Sequence, residues 1–91
     1  MNSSQLLFDN IDRLHTTEMG RERIKKNLGL PECDVISFCR GLITDATCRI
    51  SRKGKNWYCE NKGVVITVNA SSYTVITAHP HNALSEQRIG I

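Results

Sequence analysis

Tyr73, Thr77 and His79 are the residues whose types and spacing could do chemistry. With Val75 they occupy every second position of one run, and side chains alternate between faces along a strand, so a regular strand lines all four on one side. An imidazole exchanges a proton near neutral pH because its unperturbed pKa lies close to the working range. The hydroxyls of Tyr73 and Thr77 can orient a neighbouring group. The wet face of an antiparallel sheet also carries Thr and Tyr ordinarily. What favours a site is the position of His79 at the strand's end, before Pro80 and His81, where a sheet stops.

A second constellation is cationic. The net charge of +3 conceals two clusters: Arg21, Arg23, Lys25 and Lys26 against Glu22, and Arg49, Arg52, Lys53, Lys55 and Lys62 against Glu60. Trp57 and Tyr58 stand directly beside the second. Cations next to aromatic rings suit a surface that meets a phosphate backbone and stacks on a base, with Trp57 as the candidate stacking residue. A solvated helix face and a charged hairpin tip would give the same composition. The cysteines Cys33, Cys39, Cys48 and Cys59 lack the paired spacing of a zinc site, and with His79 and His81 they match no ligand pattern. The sequence therefore calls for no metal and no cofactor, and the thiols are expected to be reduced and partly buried.

These residues need a scaffold, and 91 residues leave room for a single domain with a modest core. Leu6, Leu7, Ile11 and Leu14 recur at helical spacing over residues 4–14. Thr16 or Thr17 can cap a second helix from about Glu18 to Asn27, burying Met19, Ile24 and Leu28 and ending at Gly29. Pro31 fits the first turn of a third helix whose apolar face is Val35, Ile36, Phe38, Cys39, Leu42 and Ile43.

From Cys48 to His79 the pattern changes. Breaks at Lys53-Gly54, Asn61-Lys62-Gly63 and Ala70-Ser71-Ser72 cut the stretch into four short runs rich in β-branched and aromatic residues. The order predicts an α+β domain: N-terminal helices within about 4–44 packed on one face of a four-stranded antiparallel β-meander within about 46–79. Counting outward from Lys53-Gly54, with Arg52 opposite Lys55, sets Cys48 across from Cys59. A three-residue loop with Asn69 opposite Tyr73 sets Val64, Ile66, Val68, Ile76 and Ala78 on the core face, so Ile66, Val68 and Ile76 should meet the helices. The tail, residues 80–91, is expected to be a short helix or disordered. No apolar run approaches the length of a bilayer crossing and no signal-peptide pattern opens the chain, so a cytoplasmic monomer or homodimer, away from membranes, is expected.

The stretches LHTTEMGRERIKKNLGL, RKGKNWYC and VITVNASSYTVITAH resemble an uncharacterised small-domain family of gut bacteria over about Leu7 to His79. More distantly, a His before a helix carrying Arg or Lys and a closing strand like VITAH resemble the barnase–EndoU–colicin–RelE ribonuclease superfamily. That resemblance implies RNA cleavage without a metal: one group takes the proton from a ribose 2′-hydroxyl, another protonates the leaving oxygen, and cations stabilise charge on the phosphorus oxygens. It implies His79 as base, His15 as acid, Arg21, Arg23 and Lys55 as phosphate binders, and Tyr73 and Thr77 as orienting groups. His15 can equally be an ordinary helix-end residue, and Arg23 can pair with Glu18 or Glu22.

Two functions of different classes follow. One is a small metal-independent endoribonuclease, such as the toxin of a toxin–antitoxin pair. The other is a non-enzymatic binding module or inhibitor whose open sheet face and Trp57-Tyr58 strand engage RNA or a protein partner; for the toxin, the protein partner would be an antitoxin. Convergence of His15, Arg23, Tyr73, Thr77 and His79 on one pocket would favour the first.

Overall fold

The computed structural model describes residues 3–30 and 34–80, and within them the chain is an α+β domain. Helix α1 (Ser3–Asp9), a 3-10 turn (Ile11–Arg13), α2 (Glu18–Leu28) and α3 (Val35–Thr44) precede strands β1 (Arg49–Lys53), β2 (Asn56–Asn61), β3 (Val64–Asn69) and β4 (Val75–Pro80). The strands form one antiparallel sheet in the order β1-β2-β3-β4. The expectations for Pro31, Cys33, His81 and the tail beyond Pro80 fall outside the described residues.

Local chemistry fixes the helix ends. Thr17 caps α2 by accepting from the Gly20 N–H at 3.0 Å, and Gly29, at φ 64°, closes it in the left-handed conformation that glycine adopts without strain. Asp34 caps α3 by accepting from the N–H groups of Ile36 and Ser37. This start of α2 turns Gly20 and Ile24 inward and leaves Met19 75% exposed, which corrects its expected burial. The first helical stretch is shorter than expected, since α1 stops at Asp9 and residues 11–13 tighten into a 3-10 turn.

The core is one cluster in which Leu7, Leu14, Ile24, Val35, Cys39 and Ile43 meet Trp57, Cys59, Ile66, Val68, Val75 and Ala78 from the sheet. In β2 the alternation is complete: Trp57, Cys59 and Asn61 are buried, while Asn56, Tyr58 and Glu60 are half-exposed on the other face. Asn61 is accommodated inside because its amide donates to the Leu42 carbonyl at 3.0 Å and accepts from the Thr47 hydroxyl at 3.1 Å.

Two registers differ from expectation. In the first hairpin Arg52 faces Trp57 and Lys53 faces Asn56, so the loop is Gly54-Lys55 rather than Lys53-Gly54. Gly54, at φ 58°, supplies the positive dihedral that a type II′ turn needs at its first central position. Cys59 consequently faces Ile50, and Cys48 meets it diagonally, thiol to thiol. Between β3 and β4 the loop runs over four residues, 70–73: Asn69 donates its N–H to Thr74, and Tyr73 closes the turn by donating to Asn69, both at 2.8 Å. The Asn69 side-chain oxygen accepts from the N–H groups of Ser71 and Ser72, which replaces a backbone turn with an Asx turn.

A bulge then divides β4. Thr67 pairs with Thr77 but Val68 pairs with Val75, so Ile76 is an extra residue pushed outward and 38% exposed. Tyr73 and Val75 therefore lie with the core, and Thr77 and His79 lie with the open face. The expected single file of Tyr73, Val75, Thr77 and His79 is broken at Ile76, as is the expected packing of Ile76 against the helices.

Candidate nucleic-acid interface

Helix α2 lies along β4, α3 touches β2 and α1 touches β1. The opposite sheet face carries two cross-strand rows: Ser51, Tyr58, Thr67 and Thr77, and beside it Arg49, Glu60, Val65 and His79. Between them on β1 and β2 opens a concavity of about 360 Å³ lined by Arg49, Ile50, Ser51, Tyr58, Glu60 and Val65. Its lining combines a half-exposed phenol ring, a hydroxyl, a carboxylate and an exposed guanidinium. A flat ring can stack there on Tyr58, its edge can bond to Ser51 or Glu60, and an attached phosphate can reach Arg49.

The structure distributes the sequence-derived site residues over separate places. His15 docks at the start of β4: its N–H donates to Tyr73 at 3.2 Å, its carbonyl accepts from the Val75 N–H at 2.7 Å, and its Nε2 lies 3.1 Å from the Thr74 hydroxyl. Its Nδ1 lies 2.8 Å from the Arg13 carbonyl oxygen, which requires a proton on Nδ1. In the neutral ring Nε2 therefore accepts from Thr74. His79 stands at the far end of the strand with Nδ1 3.4 Å from the Pro80 carbonyl oxygen. Five successive rises lead from Thr74 to His79, about 16 Å at about 3.3 Å per residue. The two imidazoles face different ends of β4 and are not brought to one phosphodiester.

The other expected members scatter as well. Thr77 is half-buried on the open face, opposite Thr67, and shares that face with His79. Arg21 is held by Glu22 at 3.5 Å, and Arg23 is exposed on α2, a helix that packs beside β4 and not over the open face. Lys55 projects from the first hairpin loop, and its carbonyl accepts the Ala70 N–H at 2.8 Å.

Trp57, expected to stack on a base, is 0% exposed and belongs to the core. Tyr73 is buried too, at φ 59°, with its ring centroid 5.6 Å from that of Trp57. Two guanidinium groups flank this pair: Arg13 lies 4.8 Å from the Tyr73 centroid and Arg52 lies 5.5 Å from the Trp57 centroid. The outward-facing ring of the Trp57-Tyr58 pair is Tyr58. The alternation in NWYCEN held that signal, because Trp57 shares a parity with Cys59 and Tyr58 with Glu60.

Residues 8–79 match the model of a family described as a protein of unknown function, DUF3781. The chain belongs to this family. Neither a curated protein nor a solved structure matches it. The matched residues of the family domain take in His15, the whole sheet up to His79 and the concavity at Tyr58. Among the described residues, no helix is long and apolar enough to cross a membrane.

Among the described residues, the thiols of Cys39, Cys48 and Cys59 lie away from the open face. Burial pushes Cys59 up to about 12, reinforced by the neighbouring thiols of Cys48 and Cys39, and burial raises Cys48 as well. Neither is a poised nucleophile, since the reactive form is the thiolate.

Proposed function

We propose that this protein is a non-enzymatic module that binds single-stranded RNA on the uncovered face of its sheet. The observation that carries this reading is the concavity at Tyr58, where a stacking ring, two hydrogen-bonding groups and Arg49 line a volume of about 360 Å³. Base–aromatic stacking and backbone cations together are how single strands are held without a sequence code. An endoribonuclease of the acid–base type needs two groups on opposite sides of one phosphorus, and the spacing of His15 and His79 along β4 gives that reading less support.

The test is binding and integrity of a fluorescently labelled single-stranded RNA 12-mer followed together. Wild-type protein should shift the anisotropy and return the RNA at full length. Tyr58→Ala should weaken binding by about 5- to 150-fold, the equivalent of about 1–3 kcal/mol for one stacked base. RNA fragments whose formation is lost in His15→Ala or His79→Ala would overturn the proposal in favour of catalysis. A wild-type protein that leaves the anisotropy unchanged at 50 mM salt would remove RNA as the ligand.

A further inference from the structure

The loop end of the sheet gathers cations that pair with no carboxylate among the described residues. Arg13, Arg52, Lys53 and Lys55 are all exposed there, and among the described residues none of them forms an ion pair. Some cations of the helical layer and of the opposite sheet end are paired instead. Arg21 and Lys25 share Glu22, and Lys62 lies 3.9 Å from Asp45.

Two of the four are held in place by aromatic rings. Arg13, Tyr73, Trp57 and Arg52 follow one another in steps of 4.8, 5.6 and 5.5 Å, a row of two buried rings with a guanidinium at each end. A guanidinium lying over a ring keeps its N–H edges directed outward, in the fork that matches two phosphate oxygens. Arg52 spends its Nε donor on the Gly54 carbonyl at 2.9 Å, which fixes the side chain and leaves its terminal nitrogens for a ligand. Less rotamer freedom is then lost on binding than for a free arginine.

The platform is a single piece. The Ala70 N–H donates to Lys55, tying the first hairpin loop to the third, and the His15 backbone is docked on Tyr73 and Val75, which carries Arg13 to the same end. It is also continuous with the open face: the row that follows the Tyr58 row is Lys53, Asn56 and Asn69, at the edge of this platform.

We propose that this end of the sheet, with Arg13 and Arg52 clamped on Tyr73 and Trp57 and with Lys53 and Lys55 beside them, is a phosphate clamp for the backbone of the single-stranded RNA that lies across Tyr58. This inference rests on the RNA-binding reading and adds the direction of the bound strand, which turns over the loop end of the sheet from the Tyr58 face toward the face of Trp57 and Tyr73, where Arg52 and Arg13 lie. It assigns affinity to Arg13, a residue that lies outside both cationic clusters of the sequence.

The experiment titrates a 12-nucleotide oligouridylate against the full chain from 50 to 200 mM potassium chloride and reads the slope of log K against log salt. For single strands each neutralised phosphate contributes about −0.7 to that slope. Arg13→Gln/Arg52→Gln should make it shallower by about 1.4, and Lys53→Gln/Lys55→Gln by a similar amount. Tyr58→Ala should weaken binding at every salt concentration with the slope retained. Arg13→Lys/Arg52→Lys keeps the charges and therefore the slope, but should bind more weakly because a lysine cannot fork.

A wild-type slope in both glutamine double variants would overturn the clamp while leaving the RNA reading intact. Loss of all wild-type binding at 50 mM salt would instead overturn both. Displacement of the RNA by an equimolar poly-glutamate peptide would also overturn the clamp, because the surface would then be read by charge alone and an acidic protein would be its partner.

Discussion

The backbone N–H of Val75 donates to the carbonyl oxygen of His15 at 2.7 Å, and the His15 N–H donates to Tyr73 at 3.2 Å. A short parallel bridge between His15 and Thr74 thus covers the start of the outer edge of β4. Further along, the Thr16 hydroxyl donates to the Val75 carbonyl at 2.8 Å, and the Asn27 amide donates to the Ala78 carbonyl at 3.2 Å. An edge strand with unmet N–H and C=O groups invites pairing with another chain, and here three residues of the helical layer meet them. The opposite edge, β1, is short and carries Arg49, Arg52 and Lys53.

Gly20 is expected to resist the substitution that usually helps a helix. A Cβ at this position would collide with the Thr16 hydroxyl and lie 3.2 Å from that of Thr17, and the Thr16 hydroxyl is committed to Val75. Gly20→Ala should therefore lower stability by about 1–2 kcal/mol in urea denaturation, although Gly→Ala gains about 1 kcal/mol in an open helix. In a Thr16→Ala background the same change should cost less than about 0.5 kcal/mol, and strict additivity of the two substitutions would refute this account.

Tyr73 should matter through its ring. Tyr73→Ala is expected to cost about 3–5 kcal/mol by opening a cavity against Trp57 and removing the seat of Arg13. Tyr73→Phe should stay within about 0.5 kcal/mol in the same denaturation series and leave RNA binding unchanged, because the ring and its contacts remain. A functional loss in Tyr73→Phe would return the hydroxyl to the orienting role that the sequence suggested.

The second hairpin contains a correctable strain. Lys62 and Gly63 both have positive φ, 51° and 76°, as a type I′ turn requires, but only glycine, asparagine and aspartate adopt that region readily. Lys62→Asn should raise stability by about 0.5–1 kcal/mol in thermal and urea unfolding. The exposed contact to Asp45 at 3.9 Å that it removes is worth little. A fall in stability would mean that this ion pair outweighs the backbone gain.

Cys59 predicts an alkaline weakness. Its folded pKa, pushed up to about 12, exceeds the ordinary thiol value near 9, so between those values the unfolded chain loses a proton that the folded chain keeps. The stability it contributes is whole below about pH 9 and falls as pH rises toward 12. Stability measured from pH 8 to 11 should decline less steeply in Cys59→Ala than in wild type. Maleimide labelling of Cys59 at pH 8 should be limited by unfolding, and labelling at the rate of a free thiol would contradict its burial.

The helices, the strand order and the core face of β3 were legible because each rests on a local rule: a threonine cap, a glycine stop, a period of two. The faces of β4 were not. A bulge at Ile76 inverts the parity of everything before it, and no residue type in TVITAH marks it. The place of Trp57 is readable from NWYCEN by parity with Cys59, although the cations beside it equally fit an exposed stacking ring. Arg13 was invisible as a surface contributor, because only the docking of His15 on β4 carries it to Tyr73. Long-range placement of that kind leaves no trace in residue spacing.

The bridge between His15 and Thr74 joins residues 59 positions apart, and so it orders events during synthesis. At about 5–20 residues per second a ribosome needs about 3–12 s to make β4 after it has made His15. For that interval Leu14 and Ile24 lack the strand against which they are buried in the finished domain. The segment around His15 is therefore among the last parts of this fold to be seated, and the fold closes only after β4 has left the exit tunnel.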